Sequence, residues 1–138
     1  MESFLVDTNF LISYVVDRNP RQSKLAENIF KRATSLEIEL VVSNFAISEF
    51  IFVLQSVYSK PDIKISEMIN ALLLTPGVSI IDGFQIERVL KLWPAHIPDY
   101  GDAVLASIAK KENFPFITFD KPLSKKLQKL KIPFKLLQ

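Results

Sequence analysis

A chain of 138 residues has a common size for a single domain, so we expect one domain over residues 1–138 with one core and one site. Hydrophobic residues make up 49% and charged residues 23%, a balance that excludes an intrinsically disordered chain. The absence of Cys excludes disulfides, thiolate zinc sites and a cysteine nucleophile, and a formal net charge of +2 is too small to indicate nucleic-acid binding by itself.

The first half of the chain alternates between predicted strands and helices. A short apolar run that ends at Asp7 predicts a buried strand, and Ser43 with Asn44 offers an N-cap to an apolar helix in which Glu49 is the lone acid. The predicted elements are a strand over residues 3–6, helices over 10–16 and 21–35, a strand over 37–42 and a helix over 44–58.

The second half continues the alternation. A further apolar strand ends at Asp120, and a basic amphipathic helix follows it. The predicted elements are a helix over 66–74, a strand over 78–81, helices over 84–92 and 100–112, a strand over 116–119, a helix over 123–130 and a strand over 133–136.

This alternation predicts an α/β fold, a three-layer α/β/α sandwich around a central parallel sheet. In such sheets ligands bind outside the carboxyl ends of the strands, which is where Asp7 and Asp120 are placed. Glu2 and Asp7 interrupt what would have to be the apolar core of a signal peptide or membrane span, so we expect no membrane segment and a cytoplasmic protein.

Four acids lie where a surface acid is not the simplest explanation. Asp7 and Asp120 end apolar strands, and two further acids, Glu49 and Asp102, stand within or before apolar helical runs. Several carboxylates brought together raise one another's pKa, and a cation relieves that cost. With no Cys and one His, an all-oxygen site favours Mg²⁺ or Mn²⁺, ions that promote phosphodiester hydrolysis.

Each acid also has a purely structural explanation. Asp at a strand end commonly caps the next helix, and an acid in a first turn stabilises the helix through its dipole. Asp99, three residues before Asp102, suits an N-cap as well as a second metal-shell acid, and both roles stay open. His96 lies between Pro94 and Pro98, and we expect a loop residue there and no catalytic role.

The order of these motifs resembles a known family. Four segments look like the successive signatures of PIN domains, and together they extend from Val6 to Asp120. The segments are Asp7-Thr8-Asn9 followed by Phe10-Leu11-Ile12, then Ser48-Glu49-Phe50, then Asp99-Tyr100-Gly101-Asp102-Ala103-Val104-Leu105-Ala106, and finally Ile117-Thr118-Phe119-Asp120. Each segment alone is common among α/β proteins.

The resemblance implies the α/β/α sandwich, Mg²⁺- or Mn²⁺-dependent cleavage of single-stranded or structured RNA, and a homodimer. It assigns the metal to Asp7, Glu49 and Asp102, with Asp120 as a more variable fourth acid. Thr118 matches a hydroxyl residue that orients the site, and Asn9 the polar residue after the first acid. Many stand-alone members of this size are VapC-type toxins, which implies a small antitoxin protein as partner.

A basic cluster follows the last acid. Lys121 and Lys125, at the start of the last predicted helix, are candidates for RNA phosphate contacts, and a solvated helix face explains the same pattern. The other lysines of the cluster are Lys126, Lys129 and Lys131.

Two other functions fit an acid-lined α/β fold. In a PIN-like binding module the acids persist as a weak or structural site, and the output comes from contacts with RNA or protein. A phospho-receiver domain needs an Asp at a central strand end, and Val41-Val42-Ser43-Asn44 provides none.

Overall fold

The central element of the fold is a five-stranded, all-parallel sheet. In the computed structural model, which describes all 138 residues, the strand order is β3-β2-β1-β4-β5. The strands are β1 (Glu2–Val6), β2 (Ile38–Ser43), β3 (Val78–Ile81), β4 (Phe116–Thr118) and β5 (Phe134–Leu136). The chain moves outward from β1 in one direction to β2 and β3 and in the other to β4 and β5, so the strand order reverses at β1.

Seven helices flank this sheet. They are α1 (Thr8–Val15), α2 (Pro20–Thr34), α3 (Asn44–Ser56), α4 (Asp62–Leu73), α5 (Ile86–Leu90), α6 (Tyr100–Glu112) and α7 (Lys121–Lys129). The predicted three-layer α/β/α sandwich is confirmed, together with every predicted strand and helix.

Burial along the strands shows that helices cover both faces of the sheet. Phe4, Leu5 and Val6 of β1 are all buried although neighbouring side chains point to opposite faces, and β4 is buried throughout. By contrast, every residue of β3 and β5 is only half-buried, as expected of strands at the two edges. The central strands therefore run through the buried core, and their carboxyl ends lead to the edge of the sheet where the site is predicted.

Several predicted boundaries were wrong by a few residues. The helix predicted to begin at residue 66 begins at Asp62, with Pro61 at its N-cap, because its first turn alternates polar and apolar residues and lacks helical periodicity. The helix predicted over 84–92 extends only over Ile86–Leu90. The last helix begins at Lys121, two residues before the prediction, with Pro122 in its first turn.

Helix caps hold the loops that carry the predicted site. Ser43 accepts a hydrogen bond from the backbone N–H of Phe45, which confirms the predicted cap of α3. The helix α6 ends at its C-cap Asn113, whose φ of 58° places it in the left-handed region. None of the helices is long and apolar enough to cross a membrane.

Candidate active site

Asp7 lies at the carboxyl end of β1, with its carboxylate in a buried environment. The backbone N–H of Asp7 continues the pairing of β1 with β4 by donating to the carbonyl of Ile117 at 3.2 Å. The side chain is only 3% exposed, and its Oδ2 accepts a hydrogen bond of 3.0 Å from the Thr118 hydroxyl. Although Asp7 occupies the N-cap position of α1, its side chain makes no capping hydrogen bond. Its remaining oxygen is therefore available to a ligand.

Glu49 reaches the same region from the first turns of α3. Its Oε1 accepts a hydrogen bond of 2.7 Å from the hydroxyl of Thr8, the residue after Asp7. A Cβ placed on Gly101 would lie 2.5 Å from Oε2 of Glu49, so the missing side chain at the start of α6 makes room for this carboxylate. Glu49 is half-buried, in agreement with the expectation that it is not a surface acid.

Asp102 and Asp99 stand at the start of α6. Asp99 is the N-cap, and its Oδ1 accepts a hydrogen bond of 2.8 Å from the backbone N–H of Asp102. The structural role considered for Asp99 is thus present. Asp102 is half-buried and, unlike Asp99, its carboxylate makes no hydrogen bond within the protein.

The electrostatics show that the acids act on one another. Burial raises the pKa of Asp7 from 3.8 to about 6, and the hydrogen bond from Thr118 limits that increase. Burial also raises the pKa of Asp102 to about 7, and the surrounding acids add to it in the order Asp7, Asp99, Asp120 and Glu49. The pKa of Glu49 is raised by burial and by the charge of Asp99, against the hydrogen bond from Thr8.

No basic side chain relieves this repulsion. The three ion pairs of the protein join Lys31 to Glu27, Arg32 to Glu37 and Lys64 to Glu67, all away from the predicted site. Negative charge is thus concentrated at one edge of the sheet without an ion pair to any basic side chain, an arrangement that costs stability and is typical of functional sites.

Asp120 belongs to the same edge but has a different environment. It is exposed, and its Oδ1 caps α7 by accepting from the backbone N–H of Leu123 at 2.9 Å. Its own N–H donates to the Thr118 hydroxyl at 3.0 Å, so Thr118 connects the strand-end acids of β1 and β4. Lys121 and Lys125 are exposed on α7 and take part in no ion pair.

A polar pocket of about 230 Å³ opens beside Asp7 and Asp120. Asn9, predicted as an auxiliary residue, lines it, but Lys121 and Lys125 do not. The other lining residues are Phe119, Arg18 and Gln22. The pocket is therefore lined both by acids and by side chains with N–H donors.

Sequence reasoning missed four residues of this region. Thr8 and Gly101 were quoted only as parts of motifs, although one holds the Glu49 carboxylate and the other leaves it space. Arg18 and Gln22 were not considered, because they follow α1 in a polar loop and in the next helix without any distinguishing pattern. The approach of that segment to the end of β1 is a tertiary contact, and no local sequence signal indicates it.

In their present rotamers, no three His, Asp or Glu side chains are placed closely enough to hold a metal ion. The donor chemistry nevertheless fits a hard divalent cation, since the candidate ligands are all carboxylate oxygens and their pKa values are raised by burial and by the charges of neighbouring acids. Fold and site together define an α/β/α protein with an acid-lined pocket at the carboxyl edge of its sheet, where the strand order reverses.

Comparison with known proteins identifies the family. The family model for the PIN domain matches residues 4–127, and the chain therefore belongs to the PIN domain family. Comparison with curated protein sequences gives no match.

Two solved structures are similar over most of the chain. VapBC2 from Rickettsia felis, crystallised with a DNA fragment from its promoter, has a TM-score of 0.66 at 17% identity, covering 99% of this chain and 97% of that one. VapC20 from Mycobacterium tuberculosis, described as a Sarcin-Ricin loop cleaving toxin, has a TM-score of 0.65 at 15% identity, covering 88% of this chain and 93% of that one. At these identities the likeness establishes the fold alone.

Proposed function

We propose that the protein is a Mg²⁺- or Mn²⁺-dependent endoribonuclease that hydrolyses RNA phosphodiester bonds beside Asp7. The observation that carries the proposal is the group of three acids, Asp7, Glu49 and Asp102, whose pKa values are raised at one edge of the sheet without a basic partner. A divalent cation removes that penalty, and membership of the PIN domain family supports this use of the acids.

In this proposal Asp7, Glu49 and Asp102 hold the cation, and Asp120 is a fourth, more variable acid. Such an ion, when bound, neutralises the phosphodiester and promotes the attack of water on phosphorus. Because no set of three acids is assembled in the present rotamers, binding requires at least one carboxylate to change rotamer. Asp102 is the best candidate, since no hydrogen bond holds its carboxylate.

The remaining residues position the acids and the substrate. Thr118 fixes one oxygen of Asp7, and Thr8 fixes one oxygen of Glu49, so each acid keeps a defined orientation. Lys121 and Lys125 are free of ion pairs on α7, and we assign them to phosphates of RNA outside the pocket.

We also propose that the protein is the toxin of a toxin–antitoxin pair and acts in the cytoplasm as a homodimer, inhibited by a small antitoxin protein. The similarity to VapC20 and VapBC2 supports this assignment through the fold. Large apolar side chains exposed on α3 and at its C-cap, Phe52 and Val57, provide apolar surface for such contacts. Co-purification with the product of a neighbouring reading frame tests the partner.

RNA cleavage with and without the cation tests the central proposal. The wild type should cleave RNA in Mn²⁺ and lose that activity in EDTA, and Asp102→Asn should be inactive while it keeps the circular dichroism spectrum of the wild type. Asp17→Asn is a matched control, because Asp17 is an exposed acid that does not line the pocket, and it should remain active. Cleavage that persists in EDTA would reject the proposal.

One observation favours a second function, a PIN-like module that binds RNA or protein without cleaving it. Two of the predicted acids, Asp99 and Asp120, serve as helix caps, and no metal-ready set of three is present. Calorimetric titration with Mn²⁺ beside a cleavage assay separates the two functions. Cation binding without cleavage across varied RNA substrates would favour the module.

A further inference from the structure

Arg18 is a cation on the rim of an acid-lined pocket, yet it pairs with none of the acids. It lines the pocket together with Asp7 and Asp120, but no carboxylate lies within ion-pair distance of its guanidinium. An arginine beside uncompensated acids would ordinarily form such a pair. Its position therefore calls for another explanation.

The guanidinium is held instead by three neutral acceptors. Its Nη2 lies within hydrogen-bond distance of the backbone carbonyl and the Oδ1 of Asn9, both at 3.3 Å, and of the Ser13 hydroxyl at 3.2 Å, and because this nitrogen carries two hydrogens, one of them is shared between two acceptors. All three hydrogen bonds use one nitrogen, so the donors on Nε and Nη1 have no partner in the protein. An exposed guanidinium that is anchored through one nitrogen and has two unused nitrogens suits bidentate recognition of a phosphate.

The Ser13 hydroxyl makes hydrogen bonds only to Arg18 and Gln22. Ser13 is completely buried in α1, and its hydroxyl accepts from Arg18 and donates to the Oε1 of Gln22 at 3.2 Å. One buried hydroxyl thus orients the two side chains that form the donor side of the pocket, and the amide nitrogen of Gln22 is left free.

We propose that Arg18, fixed by Asn9 and Ser13, binds a phosphate of the RNA strand in this pocket, with Gln22 as a second donor. The inference rests on the proposed ribonuclease function and deepens it. The acids of the pocket repel a phosphate, so the strand needs positive charge at this point besides that of the cation. Arg18 supplies that charge, and its neutral anchors keep it from being cancelled by Asp7 or Asp120.

RNA affinity measured without cleavage tests this inference. Asp102→Asn serves as the parent in EDTA, and fluorescence anisotropy follows its binding of a short, fluorescein-labelled single-stranded RNA. Adding Arg18→Ala should weaken binding about tenfold, the loss expected for a charged hydrogen bond to phosphate. Adding Arg21→Ala is the matched control, because Arg21 is exposed nearby on α2 and does not line the pocket, and it should leave affinity within about twofold.

The salt dependence of binding separates charge from geometry. Arg18→Ala should reduce the slope of log affinity against log salt by about 0.7, the value for one phosphate contact on a single strand. Arg18→Lys should keep the slope and lose affinity, because its ammonium cannot use the anchors of the planar guanidinium.

Ser13→Ala tests the positioning role. It should weaken RNA binding about fivefold through a less ordered Arg18, since one hydrogen bond contributes about 1 kcal/mol. Ser107→Ala removes another buried hydroxyl, which donates only to the Val104 carbonyl and lies outside the pocket, and it should leave RNA affinity unchanged.

Equal affinities for the Arg18→Ala and Arg21→Ala proteins, or no RNA binding by the parent, would overturn the inference. A wild type that binds RNA through Arg18 but never cleaves it would reject the ribonuclease function and leave the phosphate contact standing. If the Arg18→Ala variant cleaves RNA as well as the wild type does, the phosphate contact is rejected and the ribonuclease function stands.

Discussion

The strands β1 and β4 end in the same way in the sequence and differently in the structure. Each is a short apolar run that stops at an aspartate before a helix, yet Asp7 is buried and Asp120 is exposed. The helix after Asp120 takes up its carboxylate as an N-cap, whereas the Asp7 carboxylate is held by Thr118 and caps nothing. Asp120 thus stabilises its helix, whereas burial of the Asp7 carboxylate is unfavourable for its charged form.

That difference explains why one sequence pattern serves two purposes. A capping carboxylate gains hydrogen bonds from a helix N-terminus, which favour its charged form. A buried carboxylate without a counter-charge loses hydration, and its pKa rises. Asp7 combines burial with a raised pKa, so it is the better candidate for binding a ligand that brings positive charge.

The largest expected effect is on RNA cleavage by Asp7→Asn. The variant should lose more than about 100-fold in kcat/KM, because even residues that support a metal ligand contribute about 10–100-fold. Asp120→Asn should lose about tenfold or less, since its oxygen is shared with α7. Equal losses in the two variants would remove the proposed distinction between the strand ends.

In the absence of metal, Asp7→Asn should increase the stability of the protein although it reduces cleavage. The pKa of Asp7 rises from 3.8 to about 6, so its stabilising contribution is complete below pH 4 and is lost as the pH rises through 6. At pH 7 the ionised Asp7 costs up to about 3 kcal/mol, from about 1.4 kcal/mol per pKa unit. Asp7→Asn should therefore raise the free energy of unfolding in urea at pH 7 and flatten its decline between pH 4 and 6. A less stable variant at pH 7 would contradict the raised pKa.

Thr118→Val should increase the difference between the two strand ends. The substitution removes the hydroxyl that donates to Asp7 and accepts from the N–H of Asp120, which should raise the pKa of Asp7 further and cost about 1–2 kcal/mol at pH 7. Cleavage should fall about 10–100-fold. Thermal unfolding and kcat/KM measure the two effects, and Thr75→Val, on an exposed hydroxyl after α4, is the control.

Gly101→Ala should separate stability from activity. Alanine suits a helix better than glycine by up to about 1 kcal/mol, but its Cβ would displace the flexible end of Glu49 rather than any backbone. We therefore expect a folded protein of about wild-type stability with reduced cleavage. Full activity would show that the position of the Glu49 carboxylate does not matter.

The smallest effect concerns the cap itself. Asp120→Ala removes the hydrogen bond to the N–H of Leu123 and should lower the free energy of unfolding by about 1 kcal/mol. The urea midpoint measures it. An unchanged urea midpoint would mean that Asp120 does not act as a cap and is available as a ligand in the same way as Asp7.

Most of the fold was predictable from sequence because its signals are local. Apolar runs, helical periodicity and N-caps are contained within a few residues, and they gave every element and the parallel sheet. The start of α4 at Asp62 was not predicted, because its first turn alternates polar and apolar residues and lacks helical periodicity.

The acids of the site were predictable because each interrupts an apolar segment. Their differences were not, because capping and burial depend on how the helix after each strand meets its carboxylate. The donor side of the pocket was also out of reach, since Arg18 and Gln22 are placed by packing of α1 against α2 and by the buried Ser13. Such tertiary contacts have no counterpart in a single local pattern.

Calorimetric titration of the wild type with Mn²⁺, in buffers of different ionisation enthalpy, tests the central claim most directly. If mutually repelling carboxylates with pKa values of about 6 and about 7 bind the cation, binding must displace their protons. We expect release of about one proton or more per cation at pH 6 and almost none at pH 9. Absence of cation binding, or binding without proton release at pH 6, would contradict it.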